Sequence, residues 1–300
     1  MWSLQFTCIK LVQDQVDALN TVFIPILIAT IFLSPFVLKA KKNNRRRKLG
    51  DLKIFVLLAL VGQIPAQVLM TIGTQQSTAS NAAIINLTLP VVSALLAVVL
   101  LKEKMSKLRW VSFIVAIVGV ALCSIKDILG VSFSVQYLTG NLLIFFGILG
   151  SGFYNTVCKR IANDYSEIEM IFYTYIFILL LLFPFVWYYE GNIWSDIPTF
   201  TTNTWIGLSL LTVFHSFLSM LLFFTALKKV EAIQVAISNF LITFFGLPIA
   251  ILFLGEKLSS WSILGALLVL ISTIPITAWE YKQKSFEKTI TPPINRDRFD

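Results

Sequence analysis

Long apolar runs separated by short polar turns dominate the chain. A membrane-spanning helix needs about 20 mainly apolar residues, and nine runs are predicted as such helices. They lie at 18–38, 52–72, 80–101, 110–125, 140–157, 168–188, 205–227, 232–254 and 261–279. A tenth run, residues 1–12, is about half the required length. It is either part of a helix that starts upstream of Met1 or a half-span against its neighbours. We favour the first because a half-helix in lipid leaves backbone groups unsatisfied.

Two of the runs repeat each other. Written at a constant offset, residues 79–110 and 232–263 share identical residues at nine positions. The pairs are Ala79 and Ala232, Ala83 and Ala236, Ile84 and Ile237, Asn86 and Asn239, Ala97 and Ala250, Leu101 and Leu254, Glu103 and Glu256, Lys104 and Lys257, and Ser106 and Ser259. An internal duplication in a membrane protein indicates a transporter built from two related halves.

The number of spans sets the relation between the halves. Five crossings separate Glu103 from Glu256, so the matched ends face opposite sides and the repeats are inverted. We therefore predict an all-α polytopic membrane protein of about ten helices in two five-helix repeats, the first helix being truncated. The first repeat covers 1–126, the second covers 140–279, and residues 280–300 are predicted to be a disordered cytoplasmic tail.

Composition and charge agree with a membrane location. Apolar residues make up 57% of the chain and charged residues 13%, and the mean hydropathy is +0.81, whereas soluble domains are about 45–50% apolar. The net charge of +8 comes from Lys and Arg clustered between the runs, which indicates cytoplasmic anchors and not nucleic-acid binding. The basic turn at 39–48 is therefore cytoplasmic, as are both termini. The expected location is the inner or plasma membrane.

The duplicated segments also carry a family resemblance. The first copy contains Leu-Pro-Val at 89–91, Ala-Leu-Leu at 94–96, Leu-Lys-Glu-Lys-Met-Ser at 101–106 and Trp110. The second contains Leu-Gly-Glu-Lys-Leu-Ser at 254–259 and Gly-Ala-Leu at 265–267, and Trp2 and Lys10 have the spacing of a Trp-x7-Lys opening. Together these resemble the repeat of the EamA-type transporters in the drug/metabolite transporter superfamily. The resemblance implies a ten-helix metabolite transporter. Lys102 replaces the usual Gly, and Thr243 stands where Pro90 has its match.

Polar side chains inside spans are costly and usually face the protein interior or a watery cavity. The candidates for lining a substrate cavity are Lys10, Gln63, Gln67, Asn86, Tyr154, Asn155, His215 and Asn239. Lys10 is either a cationic anchor for substrate or a side chain that snorkels to the outer surface. Asn86 and Asn239 either line the site alternately or join helices to each other.

Four further features have a structural interpretation, and two of them also have a functional one. His215 is either a hydrogen-bonded core histidine or a group that handles protons. The glycines near Tyr154 favour close helix packing. Pro90 and Pro248 either act as hinges or produce static kinks. Glu103 and Glu256 are expected to fix helix turns and an interface without touching substrate.

The chemistry that is missing narrows the function. No Asp or Glu lies in the middle of a span, and no Walker-type loop or metal-ligand spacing is present. We therefore predict a non-enzymatic secondary transporter of a small organic metabolite such as an amino acid, drug-like amphiphile or sugar derivative. It would have no catalytic residue, metal or cofactor. The alternative is a non-transporting receptor or assembly factor on the same fold. The expected partners are the small-molecule substrate and the lipid bilayer, and not nucleic acid. The sequence is also compatible with a homodimer.

Overall fold

The computed structural model describes residues 1–40, 49–101, 106–129, 135–158, 161, 164–191, 193–229 and 232–290. The described residues form helices and connecting turns, without a β-strand. Five of their helices are long and apolar enough to cross a membrane, namely Ala18–Val37, Leu52–Gln76, Val135–Cys158, Glu167–Glu190 and Thr202–Ala226. Shorter apolar stretches lie at Trp110–Leu122, Leu241–Leu254 and Ser260–Pro275. The predicted fold class, an all-α polytopic membrane protein, is confirmed.

The helices are numbered here in chain order. They are α1 (Gln5–Val12), α2 (Ala18–Ala40), α3 (residues 49–76), α4a (Ala79–Asn86) and α4b (Leu89–Leu101), α5 (Lys107–Leu129), α6 (Val135–Cys158), α7 (Glu167–Phe185), α8 (residues 202–229), α9 (Ala232–Leu254) and α10 (Ser260–Ile290). The side chains of residues 227–240 lie outside the described set.

Helix packing shows the same symmetry as the sequence duplication. Helices with the same place in the two halves pack on each other, α2 on α7, α4a on α9 and α5 on α10. The first helix of each half packs against the third and fourth helices of the other half: α1 contacts α8 and α9, while α6 contacts α3 and α4. The two halves are therefore intertwined around a pseudo-two-fold axis.

The run at 80–101, predicted as one helix, is two helices. Leu87 and Thr88 form a turn in which each N–H bonds the carbonyl three residues back, at 3.0 Å. Pro90 is the second residue of α4b, and it has no N–H to offer the carbonyl of Asn86. Thr243 of α9 donates to the carbonyl oxygen of Ala83 at 2.7 Å, which satisfies a carbonyl that the tightened turn leaves free. Pro90 therefore follows a break and does not kink a continuous helix.

The structure also describes a helix near each end of the chain. The last helix continues to Ile290, so residues 281–290 are helical where a disordered tail was predicted. The short α1 lies within the bundle and not in lipid, since Phe6 and Ile9 are almost completely buried. Neighbouring helices therefore cover these two side chains.

Glycines allow α6 to approach α3 closely. A Cβ on Gly150 would lie 2.7 Å from the Gly62 carbonyl oxygen and 2.9 Å from the Ala66 nitrogen. A Cβ on Gly147 would collide with the side chain of Met70. Small residues let membrane helices approach at backbone distance, so these two glycines are packing positions. The close approach brings Tyr154 on α6 next to Gly62.

Candidate functional site

A cavity of about 70 Å³ lies at the centre of the bundle. Its lining comes from residues at the start of the chain and in α3, α4, α6, α8 and α9. The lining residues are Trp2, Gln5, Phe6, Gln63, Ala66, Gln67, Met70, Asn86, Leu89, Ser151, Tyr154, Asn155, His215, Met220, Phe223 and Ile242. The first, third and fourth helices of each half therefore build one site.

Several lining residues occupy equivalent positions in the two repeats. The repeat aligns Ala79 with Ala232, an offset of 153 residues. At that offset four matched pairs lie in the wall, namely Trp2 with Asn155, Gln67 with Met220, Met70 with Phe223, and Leu89 with Ile242. Both members of each pair border one cavity, so the cavity lies on the pseudo-two-fold axis.

Irregular helix turns place three of the polar side chains. Residues Leu58–Gln63 and Pro65–Leu69 in α3 and Leu211–Ser219 in α8 are π-helical. A π turn adds a residue to the turn and often marks a functional site. The π segments of α3 and α8 begin at Leu58 and Leu211, again 153 residues apart. Both repeats therefore carry the same distortion beside the cavity.

The π turns bring Gln63, Gln67 and His215 into one hydrogen-bonded row. The Nε2 of Gln67 donates to the Oε1 of Gln63 at 3.3 Å. The Nε2 of His215 lies 3.1 Å from the Oε1 of Gln67. His215 is 9% exposed and Gln63 is 5% exposed, so the row is largely withdrawn from solvent. We refer to Gln63, Gln67 and His215 as the polar row.

Asn86, Tyr154 and Asn155 complete the predicted polar residues of the wall. Asn86 is buried and ends α4a, directly before the helix break. Tyr154 is 1% exposed, and its ring packs edge-on against Phe224 at 6.2 Å between centroids. Six of the eight residues expected in a cavity, including the polar row, therefore lie around this one.

Lys10 does not reach the cavity. Its Nζ donates to the backbone oxygen of Gln75 at 2.9 Å and to the Oε1 of Gln13 at 3.0 Å. It therefore joins α1 to the end of α3 beside the bundle surface. The side chain of Asn239 lies outside the described residues. Of the two hinge candidates, Pro90 borders the break in α4, and Pro248 is an exposed residue inside α9.

The prediction missed the apolar and aromatic part of the wall. Four residues that belong to no motif in the sequence border the cavity, namely Phe6, Met70, Met220 and Phe223. Trp2 entered the sequence interpretation only as part of the opening motif; its ring packs on Phe223 with centroids 5.4 Å apart. The constant repeat offset could have found two of the missed residues, because it pairs Trp2 with Asn155 and Met220 with Gln67, both of which were predicted.

Two glutamates hold one end of the bundle together, which we call the acidic end. The Glu256 carboxylate accepts the N–H groups of Ala79 and Ser80 at 2.8 Å each. The Glu190 carboxylate accepts those of Leu19 and Asn20 at 2.7 and 2.6 Å. In both cases a carboxylate of the second half binds the positive N-terminus of a first-half helix. Glu256 thus has the interface role expected for it, whereas Glu103 lies outside the described residues.

Further bonds cross between the halves at the acidic end. The Oε1 of Gln15 accepts the Thr201 N–H at 2.7 Å and the Thr204 hydroxyl at 2.6 Å. The Nε2 of Gln15 donates to the Thr199 carbonyl at 2.9 Å. Ser77 donates to the Oδ1 of Asn141. The described contacts therefore join the two halves at this end of the bundle.

Comparison with known proteins agrees with the fold and the duplication. The model of the EamA-like transporter family matches residues 1–125 and 138–278. The chain belongs to the EamA-like transporter family. This confirms the resemblance found in the sequence. As a member of this family, the protein is a multi-pass membrane transporter.

Two relatives of this EamA-like protein are themselves named as transporters. The uncharacterized transporter YetK of Bacillus subtilis is 20% identical over 74% of this chain and 67% of its own length. An uncharacterized transporter of Archaeoglobus fulgidus is 21% identical over 90% of this chain and 92% of its own. One solved crystal structure shares the fold, with a TM-score of 0.62 over 91% of each chain at 11% identity.

Proposed function

We propose that the protein is a secondary transporter that moves a small organic metabolite by alternating access between its two halves. The observation that carries this proposal is the position of the cavity, on the axis that relates the inverted repeats. A site on that axis has equivalent surroundings toward both membrane faces. Rocking of one half against the other would therefore expose the same residues to each side in turn.

The described conformation fits one stage of such a cycle. Its acidic end is tied by Glu190, Glu256 and Gln15. The cavity volume, about 70 Å³, is far below the ~300–1,000 Å³ of typical ligand pockets. The cavity must therefore widen to admit a metabolite. Separation of the halves is the motion that widens it.

Charge gives the proposed orientation. The loops assigned to the outer face carry Asp14, Asp17, Asp127, Glu190 and Asp196, and those assigned to the inner face carry the basic clusters. By the positive-inside rule, the acidic end faces outward and both termini are cytoplasmic. The proposed location is the plasma membrane.

Untargeted metabolite profiling of cells and medium tests the proposal. Cells that express the native protein are compared with cells that express Gln67→Leu, which removes the middle of the polar row. Thr139→Val is the control, because Thr139 is exposed and donates only within its own helix. All proteins are matched for membrane abundance.

We expect one solute to change sides with the native protein and the control. With Gln67→Leu the flux should be at least about tenfold lower, because the part-buried hydrogen bonds of the polar row are lost. Equal flux in the native protein and both variants would support transport but reject this cavity as the transport site. Absence of flux for every solute would reject metabolite transport and favour a receptor or assembly factor.

A further inference from the structure

The hydrogen bonds of the polar row determine the tautomer of His215. The amide nitrogen of Gln67 faces the oxygen of Gln63, so the oxygen of Gln67 faces the imidazole. With the Gln67 amide in this orientation its oxygen accepts, and His215 Nε2 is then the nitrogen that carries the proton. In a neutral imidazole the other nitrogen, Nδ1, is then an acceptor.

This acceptor is buried and unused. His215 Nδ1 has no hydrogen-bond partner among the described residues, and neither does the indole Nε1 of Trp2. Both residues line the central cavity. An unsatisfied buried polar group costs about 1–3 kcal/mol. The hydroxyl of Tyr154, a third lining residue, also has no hydrogen-bond partner among the described residues. The wall thus holds an acceptor, a donor and a hydroxyl that can act as either for a bound molecule.

The remainder of the wall selects against charge. The described lining residues include no Asp, Glu, Lys or Arg. These side chains would offer a charged solute no counter-ion in exchange for its lost hydration. The same wall offers apolar contact through Phe6, Met70, Met220 and Phe223.

We infer that the cavity selects an uncharged solute that carries an N–H donor beside a hydrogen-bond acceptor, as in a lactam or another secondary amide. The donor meets His215 Nδ1, the acceptor meets the indole N–H of Trp2, and the carbon skeleton lies against the aromatic and thioether side chains. This inference rests on the proposed function, because it takes the cavity as the transport site.

Three probes of similar ring size test it on the purified full-length protein in lipid nanodiscs. These are 2-pyrrolidinone, which has the N–H and the carbonyl, N-methyl-2-pyrrolidinone, which lacks the N–H, and the cation pyrrolidinium. Their dissociation constants are measured by ligand-observed NMR, with empty nanodiscs as the blank. We expect 2-pyrrolidinone to bind about tenfold more tightly than its N-methyl derivative. The extra methyl group would favour the opposite order by its apolar area alone.

A pair of variants assigns the discrimination to His215. His215→Phe should bind both lactams equally, while Thr212→Val should retain the native preference. Thr212 is buried one turn earlier on α8, donates to Leu208 and does not line the cavity. If His215→Phe fails to fold, the comparison of the two lactams on the native protein still tests the inference.

Equal binding of the two lactams, a preference for pyrrolidinium, or no binding of any probe would overturn the inference. Metabolite profiling separates this failure from that of the proposed function. Transport of a solute with a fixed charge would reject the inferred selectivity but support the proposed transport function. Absence of any flux would reject the transport function itself.

Discussion

Replacement of Glu256 by Gln should open the acidic end. Gly255 ends α9 with a φ of +65°, the left-handed conformation that favours glycine at a helix end, and the next residue is Glu256. Its carboxylate receives two N–H groups at 2.8 Å from the first turn of α4a. These bonds join the two halves, so they stabilise the closed conformation and would be absent once the halves separate.

The size of the effect follows from those two bonds. A hydrogen bond to a charged group contributes about 1.5–3 kcal/mol, and a charge at a helix N-terminus adds about 0.3–1 kcal/mol. Glutamine keeps one acceptor oxygen and loses the charge. A net loss of about 2 kcal/mol would raise the population of the open conformation about 30-fold.

Cys8 is a native reporter of this change. It is 1% exposed and lies in the cluster where α1 packs against α8 of the other half. With Cys123 and Cys158 replaced by Ser, labelling by a membrane-impermeant maleimide is followed in right-side-out and inside-out vesicles. We expect Glu256→Gln to accelerate labelling of Cys8 by about 30-fold from one face only.

Lys257→Gln is the matched control, since it removes a neighbouring charge from an exposed side chain. Its labelling rate should equal that of the parent. If Glu256→Gln also labels at the parent rate from both faces, the carboxylate does not hold the acidic end closed and the reasoning is refuted.

Three other substitutions test the packing that positions the site, each by thermal unfolding in detergent. Gly150→Val should destabilise by about 3 kcal/mol, because its side chain meets backbone atoms of α3; Gly50→Val, with no atom within 4 Å of the added Cβ, should not. Ser166→Ala removes one half of the capping box of α7 and should cost about 1 kcal/mol, whereas an unchanged midpoint would show that the cap is dispensable. Thr243→Val leaves the freed carbonyl of Ala83 without its donor and should cost about 1–3 kcal/mol; native stability would mean that the helix break needs no support from α9.

The sequence was sufficient for the fold class and the duplication. Both signals are local or additive: a run of about 20 apolar residues must cross the bilayer with its backbone bonds satisfied internally, and a repeat is visible at a fixed offset. The polar candidates of the site were also readable, because an amide or imidazole inside a span is costly unless it faces the interior. Gln63, Gln67 and His215 were found in this way.

Only the tertiary structure decided which of these residues meet. Lys10 and Gln63 look alike as polar residues in apolar segments, but Lys10 bonds Gln75 at the acidic end while Gln63 joins the polar row. Contacts between segments far apart in the chain determine three features of the site. These are the π turns that orient the polar row, the helix break after Asn86, and the hydrogen bonds from α4a to Glu256. Such contacts fix helix register and side-chain direction, which the apolar pattern of a single segment leaves open.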